Sequence, residues 1–436
     1  MALYSLGFLF LALSDLGINQ YTTKTLASQP DLLRRLFPTL FSLKMVLSLI
    51  YPFFMLGVGF LLGYSQLEVT YLFFLCLLHG IVQMNFFFRA NFQAFQKFRL
   101  DAFASIFDRA ILLGIIAFLL FTRIDLESYL IANVISVALT MIILYVLLLK
   151  QIGFMAPKWN TQKVRDLLKR SWPFAIITVL YSVNDKVDQV MLERLLPDDT
   201  GARATGLYAG AYRWVDAVMM YLWTVLPIFF AKFAHHIGQD KFLGRLLSFG
   251  QPIAAIPMIF AGGFVFLYGE KLLWLFEHSN PGELMIMESC LKILFIAVVI
   301  NGFFAIYSTL LTSTNHERFV SWMIAASILM NMTLNFIFIP DYGAVASAWT
   351  TVGSYALLSI GYLWYIQFRL PVRIPFIQLG KLLAIAALFG GAYYALSLTD
   401  LQWYLVTGIA AVILAGLTLA FRVIQLKQPK DPDVTT

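Results

Sequence analysis

Long apolar stretches dominate the chain and recur with only short polar breaks between them. A helix that crosses a bilayer needs about 20 mostly apolar residues. Thirteen stretches of that size can be drawn: residues 2–22, 36–62, 69–88, 102–121, 126–149, 171–192, 206–230, 249–268, 287–311, 319–339, 344–365, 376–397 and 402–421. Nowhere do apolar and polar residues alternate with period two, so a transmembrane barrel is not expected. The connections are too short to hold a soluble catalytic domain. The pattern predicts an all-α integral membrane protein with about 13 transmembrane helices.

Composition agrees with this reading. Hydrophobic residues make up 60% of the chain and charged residues 13%, whereas a soluble domain is nearer half and a quarter. One aqueous core cannot hide that much apolar surface, so lipid is the expected solvent. The placement of cations then orients the spans. Of the 31 Lys and Arg residues, 21 fall in the odd-numbered connections and the C-terminal tail, against 4 in the even-numbered ones. Positive charge concentrates on the cytoplasmic side, so the odd connections and the C-terminus are expected there. Cations at span ends also argue against a nucleic-acid partner despite the net charge of +7. The same count puts residue 1 on the outer face, which predicts that a first helix precedes it and that fourteen helices make the full set. Cys76 and Cys290 each lie inside an apolar run, so neither a disulfide framework nor a metal cage is expected.

The two halves resemble each other. Ala2-Leu3-Tyr4-Ser5 echoes Gly206-Leu207-Tyr208-Ala209, and Ile111-Leu112-Leu113 with Phe118-Leu119-Leu120-Phe121 echoes Ile328-Leu329-Met330 with Asn335-Phe336-Ile337-Phe338. The expected organisation is two six-helix-type lobes, 1–150 (five helices, its first missing) and 171–366. A basic linker, 151–170, joins them, and 367–436 adds a helix pair and a cytoplasmic tail. Transporters built from such repeats bind substrate between them and alternate between inward- and outward-open states. Residues 157–170 are basic and partly amphipathic, as in a stretch lying on anionic headgroups or in a plain positive-inside connection.

Several short motifs follow one another in a recognisable order. Ser171-Trp172-Pro173-Phe174 fits S-x-P-F, Asp188-Gln189-Val190-Met191-Leu192 fits D-x-x-M-L, and Gly206 to Arg213 fits G-x-Y-x-x-A-x-R. Asn331 to Asn335, followed by Ile339-Pro340-Asp341-Tyr342-Gly343-Ala344, fits N-x-x-L-N…I-P-x-Y-G-A, and Asp15-Leu16-Gly17 with Lys24 fits D-L-G…R. In these the chain resembles the O-antigen flippase and polysaccharide transporter family of the multidrug/oligosaccharidyl-lipid/polysaccharide (MOP) exporter superfamily. It departs at Lys24, where Arg is commoner, and at Ala346, where a second Gly is usual. The resemblance implies alternating-access flipping of an undecaprenyl-pyrophosphate-linked oligosaccharide, an O-antigen or other surface-polysaccharide repeat unit, across a bacterial inner membrane. It also implies a monomer working among membrane lipids, with a polysaccharide polymerase and glycosyltransferases as candidate partners.

Ionisable residues inside spans point to function because each costs about 2.5–3.5 kcal/mol at a helix centre and normally faces a cavity or partner. Asp185 and Asp188 are three apart and share a helical face with Asn184 nearby. They could bind a coupling Na⁺ or exchange a proton, or instead tie helices together through Lys186 or Arg213. Arg213 and Asp216, also three apart, are a second pair, and Asp15 and Asp108 complete the candidate charge network. Asn85, Arg89, Gln93 and Gln96 form a polar stripe along the third span. A pyrophosphate favours forked guanidinium donors, which makes Arg89 the first candidate for the headgroup and Lys24 the second, with positive-inside anchoring as the competing role. Lys44 and Lys381 are expected to snorkel to water. No cofactor is expected beyond a coupling Na⁺ or H⁺ gradient. Pro252 and Pro257 would let the 249–268 span bend.

Two other functions compete. A drug antiporter of the same superfamily would share the lobed fold but line its cavity with acidic and apolar groups. A membrane-bound acyltransferase could use His235 and Asp240 in an H-x₄-D spacing. The absence of G-x-x-x-x-G-K-[ST] argues against direct ATP hydrolysis.

Overall fold

The computed structural model describes residues 11–423 except 62, 120, 122–124 and 277–279. Twelve α-helices are present among them: α1 (Ile18–Ser28), α2 (Leu33–Leu61), α3 (Gln66–Ala94), α4 (Phe98–Leu119), α5 (Leu126–Ile152), α6 (Thr161–Leu195), α7 (Asp198–His235), α8 (Asp240–Tyr268), α9 (Pro281–Ser313), α10 (Glu317–Arg369), α11 (Phe376–Ser397) and α12 (Trp403–Ala420). Ten segments are long and apolar enough to cross a membrane. α1 is too short and α6 too charged to be among them, while α10 is long enough for two. The chain is a multi-pass, all-α membrane protein. The echo at residues 2–5 and the tail cations Lys427 and Lys430 lie outside the described residues.

Two boundaries differ from the sequence expectation. The first span was expected to run unbroken over 2–22, but the chain makes a 3₁₀ turn at Leu11–Ser14 and starts α1 only at Ile18. Leu16 (φ 48°) and Gly17 (φ 73°) both take left-handed backbone, which no helix continues through. The second difference is the basic stretch 157–170, whose latter part is not a separate surface segment: residues 161–170 are the opening turns of α6.

Three helices open with capping boxes, Ser65 with Glu68 before α3, Asp125 with Ser128 before α5 and Asn280 with Glu283 before α9. Each satisfies first-turn N–H groups that lipid could not. All three stand on even-numbered connections, where the sequence carries few cations.

The chain divides into two compact units, Met1–Ser182 and Val183–Thr436. In the first, α2, α3 and α5 interlock through stacked rings: Phe37 and Phe41 lie 5.6 Å apart, Phe37 and Phe87 5.9 Å, and Phe41 and Tyr145 5.6 Å. In the second, α9 is the central helix and packs on α7, α8 and α10. Its Cys290, Leu291, Val298, Ile306 and Leu310 are fully buried. The last pair, α11 and α12, packs on α8 through Ile259, Ile385, Phe389, Ala410 and their neighbours.

α10 determines where the second unit's polar groups meet. Fifty-three residues at 1.5 Å each would reach roughly 80 Å, about twice a bilayer. It bends at Gly343, whose φ 54° and ψ −136° are not helical. Hydrogen bonds made by side chains then step outward evenly on either side: Ser347 donates to Asn335, Asn331 to Thr350, and Ser327 to the Ser354 carbonyl. That is an antiparallel hairpin, and it matches the two expected spans 319–339 and 344–365.

Candidate functional site

The hairpin brings polar residues of α10 against α6 and α7 around one buried carboxylate. Asp188, 3% exposed, accepts hydrogen bonds from Asn335 Nδ2 at 2.7 Å, Thr351 Oγ1 at 2.7 Å and the Tyr208 hydroxyl at 2.9 Å. A second layer holds these donors. Asn335 also donates to Asn331 Oδ1 at 2.9 Å, and its own Oδ1 accepts from Thr350 at 2.7 Å and Ser347 at 3.3 Å. Among the described residues no cation pairs with Asp188. A buried carboxylate surrounded only by neutral oxygen- and amide-bearing groups has the chemistry to take up a small cation or a proton. Asp188, Tyr208, Asn331 and Asn335 belong to three separate sequence motifs, and the fold brings them to one point.

The first unit holds a different polar centre. Lys44 is fully buried in α2 and pairs with Asp15 at 2.5 Å, while also donating to Gln83 Oε1 at 3.3 Å. Asn19 donates to the same Gln83 oxygen at 3.2 Å. The expectation that Lys44 snorkels to water is therefore corrected: its side chain ends inside the unit, on an acid from the D-L-G stretch. That stretch is held in place by Gly17, where a Cβ would lie 2.5 Å from both Ala175 N and Ser171 O. The Asp15-Leu16-Gly17 and Ser171-Trp172-Pro173-Phe174 motifs are thus packed backbone to backbone. Lys24, 7% exposed, places its ammonium 5.1 Å from the centroid of the Phe174 ring.

Arg89 and Gln93 converge on a residue that sequence reasoning passed over. Asp101, at the start of α4, accepts from Arg89 Nε at 2.5 Å and from Gln93 Nε2 at 3.0 Å. The Arg89 side chain is 23% exposed. Gln96 leaves the stripe because it sits in the turn after α3 with φ 59°. Asn85 is buried and donates to the Val137 carbonyl of α5 at 3.1 Å, while its own Oδ1 has no partner. The buried Asn19 Oδ1, Thr22 Oγ1 and Thr140 Oγ1 of the same unit also lack one.

The remaining candidates are spread out. Asp108 of α4 accepts from Ser136 of α5 at 3.3 Å. On α7, Arg213 is exposed and Asp216 is half-buried. The side chains of Asp185 and Lys186 lie outside the described part of the structure. Lys381 donates to the Phe421 carbonyl at the end of α12 at 3.1 Å. His235 and Asp240 sit at the end of α7 and the start of α8, with the His235 ring edge-on to His236. Among the described residues no cluster of His, Cys, Asp and Glu has the form of a metal site.

The helix arrangement matches solved transporters. A MOP superfamily transporter from Pyrococcus furiosus, described by a binding pocket of reverse polarity that suggests a different function, aligns with a TM-score of 0.64 at 14% identity, over 83% of this chain and 86% of that one. An outward-facing multidrug resistance MATE family transporter of the same superfamily aligns with a TM-score of 0.67, again at 14% identity and 83% and 86% coverage. At that identity the likeness is one of fold, the fold of these MOP superfamily transporters. The chain belongs to the polysaccharide biosynthesis protein family, whose profile matches residues 1–230. An uncharacterized membrane protein of Methanocaldococcus jannaschii is 21% identical over 204 residues. That match covers 45% of this chain, and the chain spans about half the length (46%) of that relative.

Proposed function

We propose that this chain is a flippase moving an undecaprenyl-pyrophosphate-linked oligosaccharide, a repeat unit of O-antigen or another surface polysaccharide, across the bacterial inner membrane by alternating access. The observation that carries the reading is the buried cationic chemistry of the first unit. Lys24 is buried on α1 and Arg89 lies on α3, both within the 230 residues that match the polysaccharide family. An anionic headgroup is the ligand such groups suit, whereas an organic cation is not.

Arg89 has a defined part in this reading. Its guanidinium is held by one carboxylate, Asp101, which a pyrophosphate with several anionic oxygens can replace in forked geometry. Lys24 supplies a second cation. Gln93, Asn85 and the exposed Arg213 are further candidate contacts for phosphate or sugar. The Asp188 cluster supports coupling to Na⁺ or H⁺, with the cation or proton satisfying the carboxylate in one state of the cycle.

Deleting the gene from a producing strain tests this. Lipid-linked repeat units should accumulate on the cytoplasmic leaflet, the wild-type gene should clear them, and a Lys24→Ala gene should clear them at least tenfold more slowly. The fold it shares with a multidrug transporter supports a second reading, an organic-cation antiporter. Loss of dye efflux with no lipid-linked intermediate accumulating would favour that reading instead.

A further inference from the structure

At one end of the first unit, the segment between α5 and α6 folds back onto the start of α2, and the Lys158 N–H donates to the Pro38 carbonyl at 3.1 Å. Between the two segments lies an open-mouthed cavity of about 460 Å³, within the size range of small-ligand sites. Four cations line it. Arg34 and Arg35 come from the first turn of α2, and Lys158 and Lys163 from the segment before α6 and from its first turn. Trp159 and Asn160 complete the wall, and no acidic side chain lines it.

All four cations are exposed residues. Among the described residues none of them enters an ion pair or a side-chain hydrogen bond. Like charges gathered in one cavity repel one another, and an anion between them reverses the sign of that interaction. The 35-residue helix α6 also starts here, with Asn160 Oδ1 accepting from the Lys163 N–H at 2.9 Å. Its positive dipole end adds to the same field.

The surroundings point to an amphiphile rather than a free ion. Along the first turns of α6 lies a separate, wide-open strip of about 500 Å³, lined by Val164, Leu168 and Trp172 with Arg165 and Lys169 beside them. Trp159 and Trp172 are 53% and 59% exposed, as indoles at a membrane–water boundary are. A cationic cavity, a separate apolar strip along the same helix and an exposed indole at each match the anionic headgroup, the apolar surroundings and the interfacial depth of a membrane lipid.

We propose that this cavity binds the phosphate of an anionic membrane phospholipid, whose acyl chains stay in the surrounding bilayer. The site shares no residue with the Asp188 cluster or the Arg89–Asp101 pair, and it does not depend on what the protein carries. The bound lipid clamps the start of α2 to the start of α6.

The test uses the full chain, purified and placed in nanodiscs of equal phosphatidylglycerol and phosphatidylcholine, then released for native mass spectrometry of retained lipid. Phosphatidylglycerol should be retained over phosphatidylcholine. Each of the double variants R34Q/R35Q and K158Q/K163Q should lower that retention by about fivefold or more. Arg34→Lys with Arg35→Lys should keep most of it. A K241Q/R245Q variant, which changes basic residues elsewhere, should leave it unchanged. Elution and thermal unfolding in phosphatidylcholine-only discs establish that each variant is folded. Equal retention of the two lipids overturns the proposal, as does retention that ignores the four cations. Displacement of phosphatidylglycerol by millimolar inorganic phosphate or pyrophosphate assigns the cavity to a free anion and overturns it as well. Transport is not the readout, so failure here leaves the flippase reading standing.

Discussion

The two units keep buried acids in different ways. Asp15 faces a lysine at 2.5 Å, whereas Asp188 faces only an amide and two hydroxyls. Removing one member of a buried ion pair leaves the other charge uncompensated, at about 3–5 kcal/mol. Lys44→Met and Asp15→Asn should therefore each lower the unfolding temperature in detergent sharply, and the double variant should recover most of the loss. If the double variant loses as much as both single changes together, the pair is not coupled. Asp188 should behave otherwise. Wild-type protein should be stabilised by one of its candidate ions, seen as a shift in unfolding temperature with Na⁺ against choline or with pH, and Asp188→Asn should respond to neither. How legible these sites were differs for a physical reason. Three-residue spacing places Asp188 on one helix face, but two of its three donors lie 147 and 163 positions later in the chain, and no local pattern reports them. Lys44 was misread because snorkelling is judged from distance to a span end. What decides its fate is the acid waiting across the helix interface.

At the level of elements, hydrophobic runs locate nearly every helix, because lipid allows few alternatives to an apolar helix of sufficient length. The exceptions lie where backbone geometry, not hydropathy, sets the boundary. Gly343 holds φ 54° and ψ −136° between the halves of α10, and a side chain there costs about 1–3 kcal/mol. Gly343→Ala should lower thermal stability and weaken the Asp188 network that the hairpin assembles. Gly353 is helical and a Cβ there meets only Met330 Cε at 3.5 Å, so Gly353→Ala should be neutral or stabilise by up to about 1 kcal/mol. Equal losses at the two positions would contradict the account of the turn. The break before α1 is likewise visible in the sequence only as Leu16-Gly17, where the left-handed backbone and the close α6 backbone leave no room for a side chain at Gly17.

For the whole molecule, the cation count assigns the odd-numbered connections to the cytoplasm, and cysteine labelling checks it. A cysteine at Lys158 should react with an impermeant maleimide only after the membrane is opened, and one at Asp125 should react in intact spheroplasts. The candidate grip on the headgroup is also separable from structure. If Asp101 only parks Arg89, Asp101→Asn should leave transport within about threefold of wild type while Arg89→Ala lowers it at least tenfold; equal losses would make the pair a structural tie. The central claim is that the protein carries a pyrophosphate-linked glycolipid between leaflets. Reconstitution into proteoliposomes, with a fluorescent polyprenyl-pyrophosphate oligosaccharide in one leaflet and a membrane-impermeant quencher outside, measures that directly. The account predicts ion-gradient-dependent movement of this lipid that Lys24→Ala slows at least tenfold and that an uncharged polyprenol-linked sugar does not share. Movement no faster than in protein-free vesicles would contradict it.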